Sequence, residues 1–494
     1  MRNVLLCMVA ASAVLFAQGT PQPPVTWDEA ALREWATPIA GLNVRPGHFS
    51  AEEYHRAPID NLRTYPVYYP GREPAGYWDM LQSVGPKPLI EPQTLKGDAD
   101  RLRAGQRVFD EYDIPAFRIL DPKIVALARS PQGFAGSGVK GRSDGALPDL
   151  RWIPTSNGVA LGISNCAACH TRVMPDGMLL RGAPPNETPS PIGRFRIGRW
   201  GASPVELAGD VGPITLWRSW AAPWIKEDIH ESIKTMTLPQ FGPLFGAAAA
   251  PGLFPRWNGS AFYPTKIPDL IGFKDRKYID HTATHQHRGP GDVMRYAALV
   301  SYSDSSDFGP HRMLTDEQRR IPFRTPDEAL YAMTMFIYSL QAPPNPNKNG
   351  PGVATGGKIF QHEGCGGCHT PPLYTNNRLT LAEGFTPPAE HFKFLDIMGV
   401  SVGTDPNLAL KTRKGTGYYK VPSLKGLWYR GRYLHDGSLT TLEEMFDPAR
   451  LREDFAPTGF MPPGQRLRPV PGHTFGMKLN DEERAALLDF LRSL

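Results

Sequence analysis

The chain has 494 residues, which is enough for two or three domains with cores of their own. Apolar residues make up 41% and charged residues 21%, proportions that exclude a disordered or fibrous protein. The formal net charge is +5 and no run of five or six consecutive basic residues is present, so we expect no nucleic-acid partner.

The N-terminal segment 1–17 has the pattern of a secretory signal peptide. Arg2 precedes an apolar run from Val4 to Phe16, and Ala17 offers a small residue for cleavage. The alternative is a membrane anchor, but about 13 apolar residues are too few to span a bilayer. We therefore predict a periplasmic or secreted protein with no stable membrane span once the signal peptide is removed.

The pattern Cys-x-x-Cys-His occurs twice, at Cys166, Cys169 and His170 and again at Cys365, Cys368 and His369. Disulfides or a thioredoxin-like redox pair would leave both histidines without a role. A zinc ribbon places its two cysteine pairs about 15 to 20 residues apart, far closer than these. Attachment of haem c uses every residue, because the thiols bind the porphyrin and the imidazole reaches the iron. We therefore predict two covalently bound haem c groups.

The two motifs predict two cytochrome c-like haem domains in a mainly α fold with long irregular loops. A short helix, "ATGGKIFQHEG", leads into the second motif, and an amphipathic helix capped by Asn480 and Glu483 ends the chain. A similar helix, with Thr325 and Glu328 as its cap, closes the first half. The predicted segments are a signal peptide (1–17), an N-terminal extension (18–96), a first haem domain (97–342) with a large insertion (about 171–324), a linker (343–350) and a second haem domain (351–494).

The insertion after the first motif is much longer than a minimal haem domain requires. Long ordered insertions tend to carry function. Its histidines His281, His285 and His287 are candidates for residues near the first haem. Their spacing fits no zinc pattern, and a solvated loop is the alternative.

Two C-terminal stretches carry a resemblance to a known superfamily. The segment "YKVPSLKGLWYRGRYLHDGSLTTLEEMF" resembles the corresponding part of bacterial di-haem cytochrome c peroxidases and of the di-haem enzyme that matures methylamine dehydrogenase. The tail "GHTFGMKLNDEERAALLDFLRSL" is similar to the di-haem rubber oxygenases, which carry a Gly-His-x-aromatic-Gly element before the last helix. The resemblance covers residues 350–494 and the region 160–175.

The resemblance implies a division of labour between the two haems. His170 and His369 would be the proximal iron ligands. The N-terminal haem would bind peroxide or dioxygen at an open position, and the six-coordinate C-terminal haem would pass electrons. His435, in the element "YLHDG", would lie near the second haem, and a hydrogen-bonded loop histidine without a redox role is the alternative.

The sixth ligand of the second haem has two main candidates in the tail. His473 belongs to the element shared with the rubber oxygenases, adjoins the final helix and follows a glycine that permits close backbone approach. Met461 lies in "GFMPPG", which resembles the Met-Pro-Pro loop of small cytochromes c. His435 and Met477 are further alternatives. We predict that His473 is the ligand.

Three functions are compatible with these features. We predict an exported di-haem oxidoreductase that activates peroxide or dioxygen at the N-terminal haem and transfers electrons through the C-terminal haem. The alternatives are an electron-transfer cytochrome with both irons six-coordinate and a haem subunit of a larger dehydrogenase complex. The long insertion favours the first function, because a pure electron carrier does not need it. Expected partners are a small redox protein or a quinone-linked donor or acceptor, with peroxide, dioxygen or an organic molecule as substrate.

Overall fold

The computed structural model describes residues 23–115, 118–134, 144–186, 221–227, 229–255, 260–301, 307–317, 319 and 321–494. The predicted signal peptide and part of the predicted insertion lie outside these residues. Within them, helices joined by long loops are the main regular structure and most strands are short, in line with the predicted fold class. None of the described helices is both long enough and apolar enough to cross a bilayer.

The α-helices are distributed along the whole described chain and vary from one turn to four. In chain order they are α1 (Glu29–Trp35), α2 (Ala51–Arg56), α3 (Tyr77–Val84), α4 (Asp98–Glu111), α5 (Pro122–Ala128), α6 (Pro131–Phe134), α7 (Cys166–Cys169), α8 (Leu238–Ala248), α9 (Pro290–Ser301), α10 (Asp327–Ser339), α11 (Val353–His362), α12 (Asn407–Leu410), α13 (Leu442–Met445) and α14 (Asp481–Ser493). Short 3-10 helices lie at Pro92–Thr94, Ile229–Thr235, Phe273–Asp275, Cys365–Gly367, Ala389–Lys393 and Pro448–Leu451.

The strands form small sheets that brace the loops between helices. They are β1 (Tyr65–Tyr68), β2 (Ala146–Thr155), β3 (Gly158–Gly162), β4 (Thr171–Val173), β5 (Leu179–Arg181), β6 (Leu253–Phe254), β7 (Thr265–Lys266), β8 (Tyr278–Ile279), β9 (His285–Gln286), β10 (Asp307–Phe308), β11 (His311–Arg312), β12 (Leu379–Leu381), β13 (Ile397–Ser401) and β14 (Tyr418–Lys420). One three-stranded sheet is antiparallel in the order β1-β2-β3. In the other, β12 pairs with β13 in parallel and with β14 antiparallel.

In the first half, α4 crosses α10 at very close range. A Cβ atom added at Gly105 would lie 2.0 Å from the Ala332 carbonyl oxygen, so only glycine permits this approach. One turn further along each helix, the rings of Phe109 and Phe336 have centroids 5.4 Å apart. The N-terminal extension joins this core, because Trp27 packs in the same cluster.

The second half repeats this crossing with α11 and α14. A Cβ atom at Gly356 would lie 1.9 Å from the Ala486 carbonyl oxygen. The Phe360 and Phe490 rings, four residues beyond each, have centroids 5.1 Å apart. Each half is therefore built on a Gly-x-x-x-Phe helix crossed by an Ala-x-x-x-Phe helix.

The caps predicted for the two closing helices differ in outcome. Asn480 accepts a hydrogen bond from the Glu483 backbone N–H and the Glu483 side chain accepts one in return, so that capping box is confirmed. The predicted cap at Thr325 is wrong, because α10 begins after Pro326 without a side-chain cap. The buried Thr325 hydroxyl instead donates to the hydroxyl of Tyr112 at 2.9 Å.

Candidate functional site

The first Cys-x-x-Cys-His motif lies on α7, a single helical turn packed against the helix pair of the first half. Asn165 caps this turn by accepting a hydrogen bond from a backbone N–H within it. Cys166 packs against the first core, with its Sγ 3.6 Å from the Sδ of Met333 on α10. His170 donates from Nδ1 to the Pro268 carbonyl at 3.1 Å. In metalloproteins, a hydrogen bond from Nδ1 of this kind orients a histidine that binds its metal through Nε2.

The second motif follows α11 directly. Gly364, with φ 76°, turns the chain into the 3-10 helix Cys365–Gly367. His369 donates from Nδ1 to the carbonyls of Tyr374 at 3.2 Å and Pro422 at 3.1 Å. Both motif histidines are therefore fixed by backbone carbonyls, the arrangement that orients metal-binding imidazoles in proteins.

The cysteines of the two motifs belong to separate sites. Cys166 packs against the first core, whereas Cys365 packs against the C-terminal core. Burial raises the pKa of the Cys166 thiol to about 12 and that of Cys365 to about 11, so both are protonated at pH 7 when nothing is bound to them. Because the pairs lie in different cores, they do not form one shared zinc ribbon.

A cavity of about 220 Å³ opens over the second motif. His369 and His473 both line it, and their ring centroids are 6.4 Å apart. Two imidazoles bound to opposite sides of one metal ion through bonds of about 2.0 Å would have centroids about 6 Å apart. The spacing therefore fits one iron between the two rings. Apolar side chains form much of the surrounding wall, among them Phe360, Leu424, Leu427, Leu442, Met445 and Phe446.

The backbone at His473 is held in a conformation that few residues adopt. Its φ is 49°, and the preceding Gly472 has φ 79° and passes so close to Thr404 that a Cβ would lie 2.2 Å from the Thr404 nitrogen. The buried Arg450 donates to the carbonyls of Gly472 and His473 at 2.7 and 3.0 Å. The Nδ1 of His473 is buried without a hydrogen-bond partner among the described residues. Burial, with His369 and Arg450 nearby, lowers the pKa of His473 to about 4, so the ring is neutral at pH 7, the form that binds metals.

The alternative ligands of the second haem have different positions. Within the described residues, neither Met461 nor Met477 is part of the cavity wall. His435 does line the cavity, but its Nε2 lies 3.4 Å from the Tyr419 hydroxyl and its ring centroid 4.6 Å from that of Tyr419. Burial lowers the pKa of His435. The tail therefore brings one histidine, His473, to face the motif histidine at the spacing of a ligand pair.

The three histidines predicted near the first haem have three different environments in the structure. His281 lines the cavity of the second motif, because the long segment after the first motif reaches across to the second half. His285 packs against Trp35, with ring centroids 4.1 Å apart. His287 contacts the Tyr338 hydroxyl through Nε2 at 2.5 Å. Both His285 and His287 are therefore engaged in side-chain contacts rather than in a solvated loop.

Cationic side chains lie in the wall of the same cavity. Lys266, Lys420 and Arg430 line it. Arg430 pairs with Asp269 at 2.7 Å, whereas the Lys420 Nζ has one carbonyl partner at 3.3 Å and the Lys266 Nζ has none within the described residues. Burial, reinforced by neighbouring cations such as Arg276, lowers the pKa of Lys266 to about 8 and that of Lys420 to about 7. An anionic group bound beside these lysines would favour their charged forms, so the cavity is suited to an anionic group.

Each half contains a copy of an internal repeat that was not predicted above. "KIPDLIGFKDR" (266–276) and "KVPSLKGLWYR" (420–430) share Lys, Pro, Leu, Gly and Arg at matching positions. The two prolines, Pro268 and Pro422, supply the carbonyls that accept hydrogen bonds from the two motif histidines. A search for self-similarity along the chain would have identified this repeat, and with it the cavity lysines.

These residues fit haem c. The second site has two thiols, a motif histidine held through Nδ1, a neutral imidazole opposite, apolar walls and cations that could meet the porphyrin carboxylates. The first motif has the same thiols and a histidine held in the same manner. The arrangement can hold iron between imidazoles in a largely apolar cavity, which is a setting for one-electron chemistry.

The chain matches no protein-family model and no curated protein sequence. Among solved structures, it is similar to a hydrazine synthase from Kuenenia stuttgartiensis, with 15% identity and a TM-score of 0.30 over 50% of this chain and 78% of that one. It is also similar to a MauG-like protein associated with microbial copper homeostasis, with 19% identity and a TM-score of 0.28 over 50% of this chain and 79% of that one. The diheme peroxidase BthA from Burkholderia thailandensis shows 17% identity and a TM-score of 0.25 over 89% of this chain and 94% of that one. Since the TM-scores of these three structures are all below 0.5, a function has to be inferred from the residues of this chain.

Proposed function

We propose that this protein is an exported di-haem c-type cytochrome that acts as an oxidoreductase. The observation that carries the proposal is the pair of imidazoles, His369 and His473, with centroids 6.4 Å apart in a cavity that also contains the thiols of the second motif. Haem bound there would supply one-electron redox chemistry. The duplicated motif and its matching hydrogen bond at His170 support a second haem of the same type.

Each group of residues at the second site has a distinct task. Cys365 and Cys368 provide the attachment points, and the hydrogen bonds of His369 fix the direction of its imidazole. The apolar walls would surround the porphyrin, and Lys266 and Lys420 would pair with its carboxylates. With His369 and His473 both bound to one iron, no position would be open to a substrate, so this site would be suited to electron transfer.

We propose that small-molecule chemistry belongs to the first site. If His369 and His473 occupy both axial sides at the second, peroxide or dioxygen has to bind near His170. The long segment after the first motif provides the additional chain that a substrate pocket needs. Electrons would be exchanged with a small redox protein or a quinone-linked partner through the second site.

Haem attachment is tested first by intact mass. Protein produced with the cytochrome c maturation machinery should carry two haems, and Cys166→Ala/Cys169→Ala and Cys365→Ala/Cys368→Ala should each carry one. The double substitutions act as matched controls for each other, because each removes one motif and leaves the second. Wild-type protein with one haem or none would contradict the proposal.

The axial assignment is tested by His473→Ala, with Met461→Ala as the control. His473→Ala should convert the second haem from a low-spin to a high-spin spectrum, because its sixth ligand is lost, while Met461→Ala should leave the spectrum unchanged. Cyanide or carbon monoxide should bind one haem in wild type and both in His473→Ala. A methionine-to-iron charge-transfer band that disappears in Met461→Ala would show that the assignment is wrong.

A further inference from the structure

Each copy of the internal repeat is hydrogen-bonded to the segment that follows the other copy. The backbone N–H of Lys266, at the start of the first copy, donates to the His435 carbonyl at 2.8 Å. The N–H of Lys420, at the start of the second copy, donates to the His281 carbonyl at 3.0 Å. Each copy is therefore fixed by the segment that follows the other, and the two form one junction between the halves.

One ion pair inside this junction, between Asp269 and Arg430, connects the segment after Pro268 to the second copy of the repeat. Asp269 directly follows Pro268, whose carbonyl accepts from His170. The Asp269 Oδ2 accepts hydrogen bonds from Arg430 Nε at 2.7 Å and from the Tyr429 hydroxyl at 2.8 Å. The peptide that orients His170 is thus anchored to the second copy of the repeat.

The same arginine reaches the histidine of the second half. Arg430 donates from Nη1 to the Ser423 carbonyl at 2.8 Å. Ser423 directly follows Pro422, whose carbonyl accepts from His369 at 3.1 Å. A continuous series of covalent and hydrogen bonds therefore runs from His170 to His369 through one buried guanidinium.

The Asp269–Arg430 ion pair is well suited to hold the two proline segments in fixed positions relative to each other. The side chains of Asp269 and Arg430 are only 5% and 11% exposed, so their attraction is weakly screened. The planar guanidinium uses two nitrogens in different directions, which fixes both peptides at once. The two copies of the repeat differ at the residue after the proline. This residue is Asp269 in the first copy and Ser423 in the second.

We propose that Asp269 and Arg430 are positioning residues that couple the two haem sites by fixing the hydrogen-bond acceptors of both His170 and His369. The inference rests on the proposed function, because the two imidazoles can affect a reduction potential only when each binds iron. A hydrogen bond from Nδ1 makes an imidazole a stronger electron donor to its metal, which favours the oxidised state. Loosening both acceptors should therefore raise both reduction potentials together.

The decisive variant is Arg430→Lys, measured by spectroelectrochemical titration of the holoprotein. Lysine keeps the positive charge but has one nitrogen in place of the two with which Arg430 separately holds Asp269 and the Ser423 carbonyl, so the potentials of both haems should rise. Tyr429→Phe, which removes one hydrogen bond to Asp269 and keeps the ion pair, should shift both in the same direction by less. Asp292→Asn, at a similarly buried ion pair with Arg295 that contacts neither proline segment, is the matched control and should shift neither.

The outcomes separate this inference from the proposed function. Intact mass reports the haem count of every variant, and fewer than two haems in wild type would contradict the proposed function alone. With two haems attached, a shift confined to the second haem in Arg430→Lys would overturn the coupling, since Arg430 lines that cavity and could act on it locally. If Arg430→Lys fails to fold, Tyr429→Phe decides, and unchanged potentials at the first haem would overturn the inference.

Discussion

The two halves of the chain share a helix crossing and a way of holding the motif histidine. In each, a Gly-x-x-x-Phe helix crosses an Ala-x-x-x-Phe helix, and a proline carbonyl accepts a hydrogen bond from the histidine at 3.1 Å. The halves differ in what is added. The second has a tail that brings His473 to the His369 ring, and the first has the long segment 171–324. The shared structure therefore contains what the proposed haem attachment needs, and the additions would determine what each iron could do.

The helix crossing is the shared feature whose disruption should have the largest effect. Gly356→Ala would place a Cβ 1.9 Å from the Ala486 carbonyl oxygen, so the helices must separate. We expect the free energy of unfolding of the holoprotein to fall by about 2 kcal/mol, the usual cost of overpacking. Chemical denaturation measures it.

The neighbouring glycine is a matched control. A Cβ at Gly357 would meet only the Phe490 ring at 3.4 Å, an ordinary contact, so Gly357→Ala should be neutral or stabilise α11 by about 0.5 kcal/mol through helix propensity. Gly105→Ala should behave like Gly356→Ala, because its Cβ would lie 2.0 Å from the Ala332 carbonyl oxygen. Equal stability of the Gly356 and Gly357 variants would show that the close crossing is not structurally required.

A second prediction concerns the support of the first motif. Asp113 is 1% exposed, and its carboxylate contacts Arg118 at 3.3 Å and the Ser164 backbone N–H, two residues before the motif, at 3.4 Å. Burial raises the pKa of Asp113 to about 7. Because the unfolded value is about 3.9, protonation stabilises the fold fully below pH 4, and this contribution is lost as the pH rises through 7.

Asp113→Asn should remove that pH dependence. The amide resembles the protonated acid, so the variant should be more stable than wild type at pH 8 by about 1 kcal/mol and should change less between pH 4 and pH 8. Denaturation of both holoproteins across this range is the measurement. Parallel stability curves for the two proteins would rule out Asp113 as the titrating group.

Local patterns in the sequence predict the parts of the site that depend on neighbouring residues. The two motifs, the capping box at Asn480 and the helix leading into the second motif all follow from short spacings, and the structure confirms the last two. The cap predicted at Thr325 is wrong because Tyr112, far away in sequence, accepts the hydrogen bond of its hydroxyl, a contact that no local spacing shows.

Local patterns do not predict which side chains from one half reach the site in the other, because this depends on the tertiary fold. His281 lines the cavity of the second motif, where its carbonyl accepts a hydrogen bond from the backbone N–H of the distant Lys420, a contact that no local pattern encodes. His473 was found through its resemblance to a family element, but its 6.4 Å spacing from His369 depends on the tertiary contacts of Arg450. The domain boundaries predicted from the linker remain a prediction.

The smallest effect, and the sharpest test of how separate the halves are, concerns the two cavity lysines. Lys266 belongs to the first copy of the repeat and Lys420 to the second, yet both line the cavity of the second motif. A positive charge near iron stabilises the reduced state, so Lys266→Met and Lys420→Met should each lower the reduction potential of the second haem without changing its ligands. Lys358→Met, at an exposed lysine on α11, should have no effect. If Lys266→Met changed only the first haem, the two halves would be electrostatically independent, and the shared cavity wall would have no role in tuning the second haem.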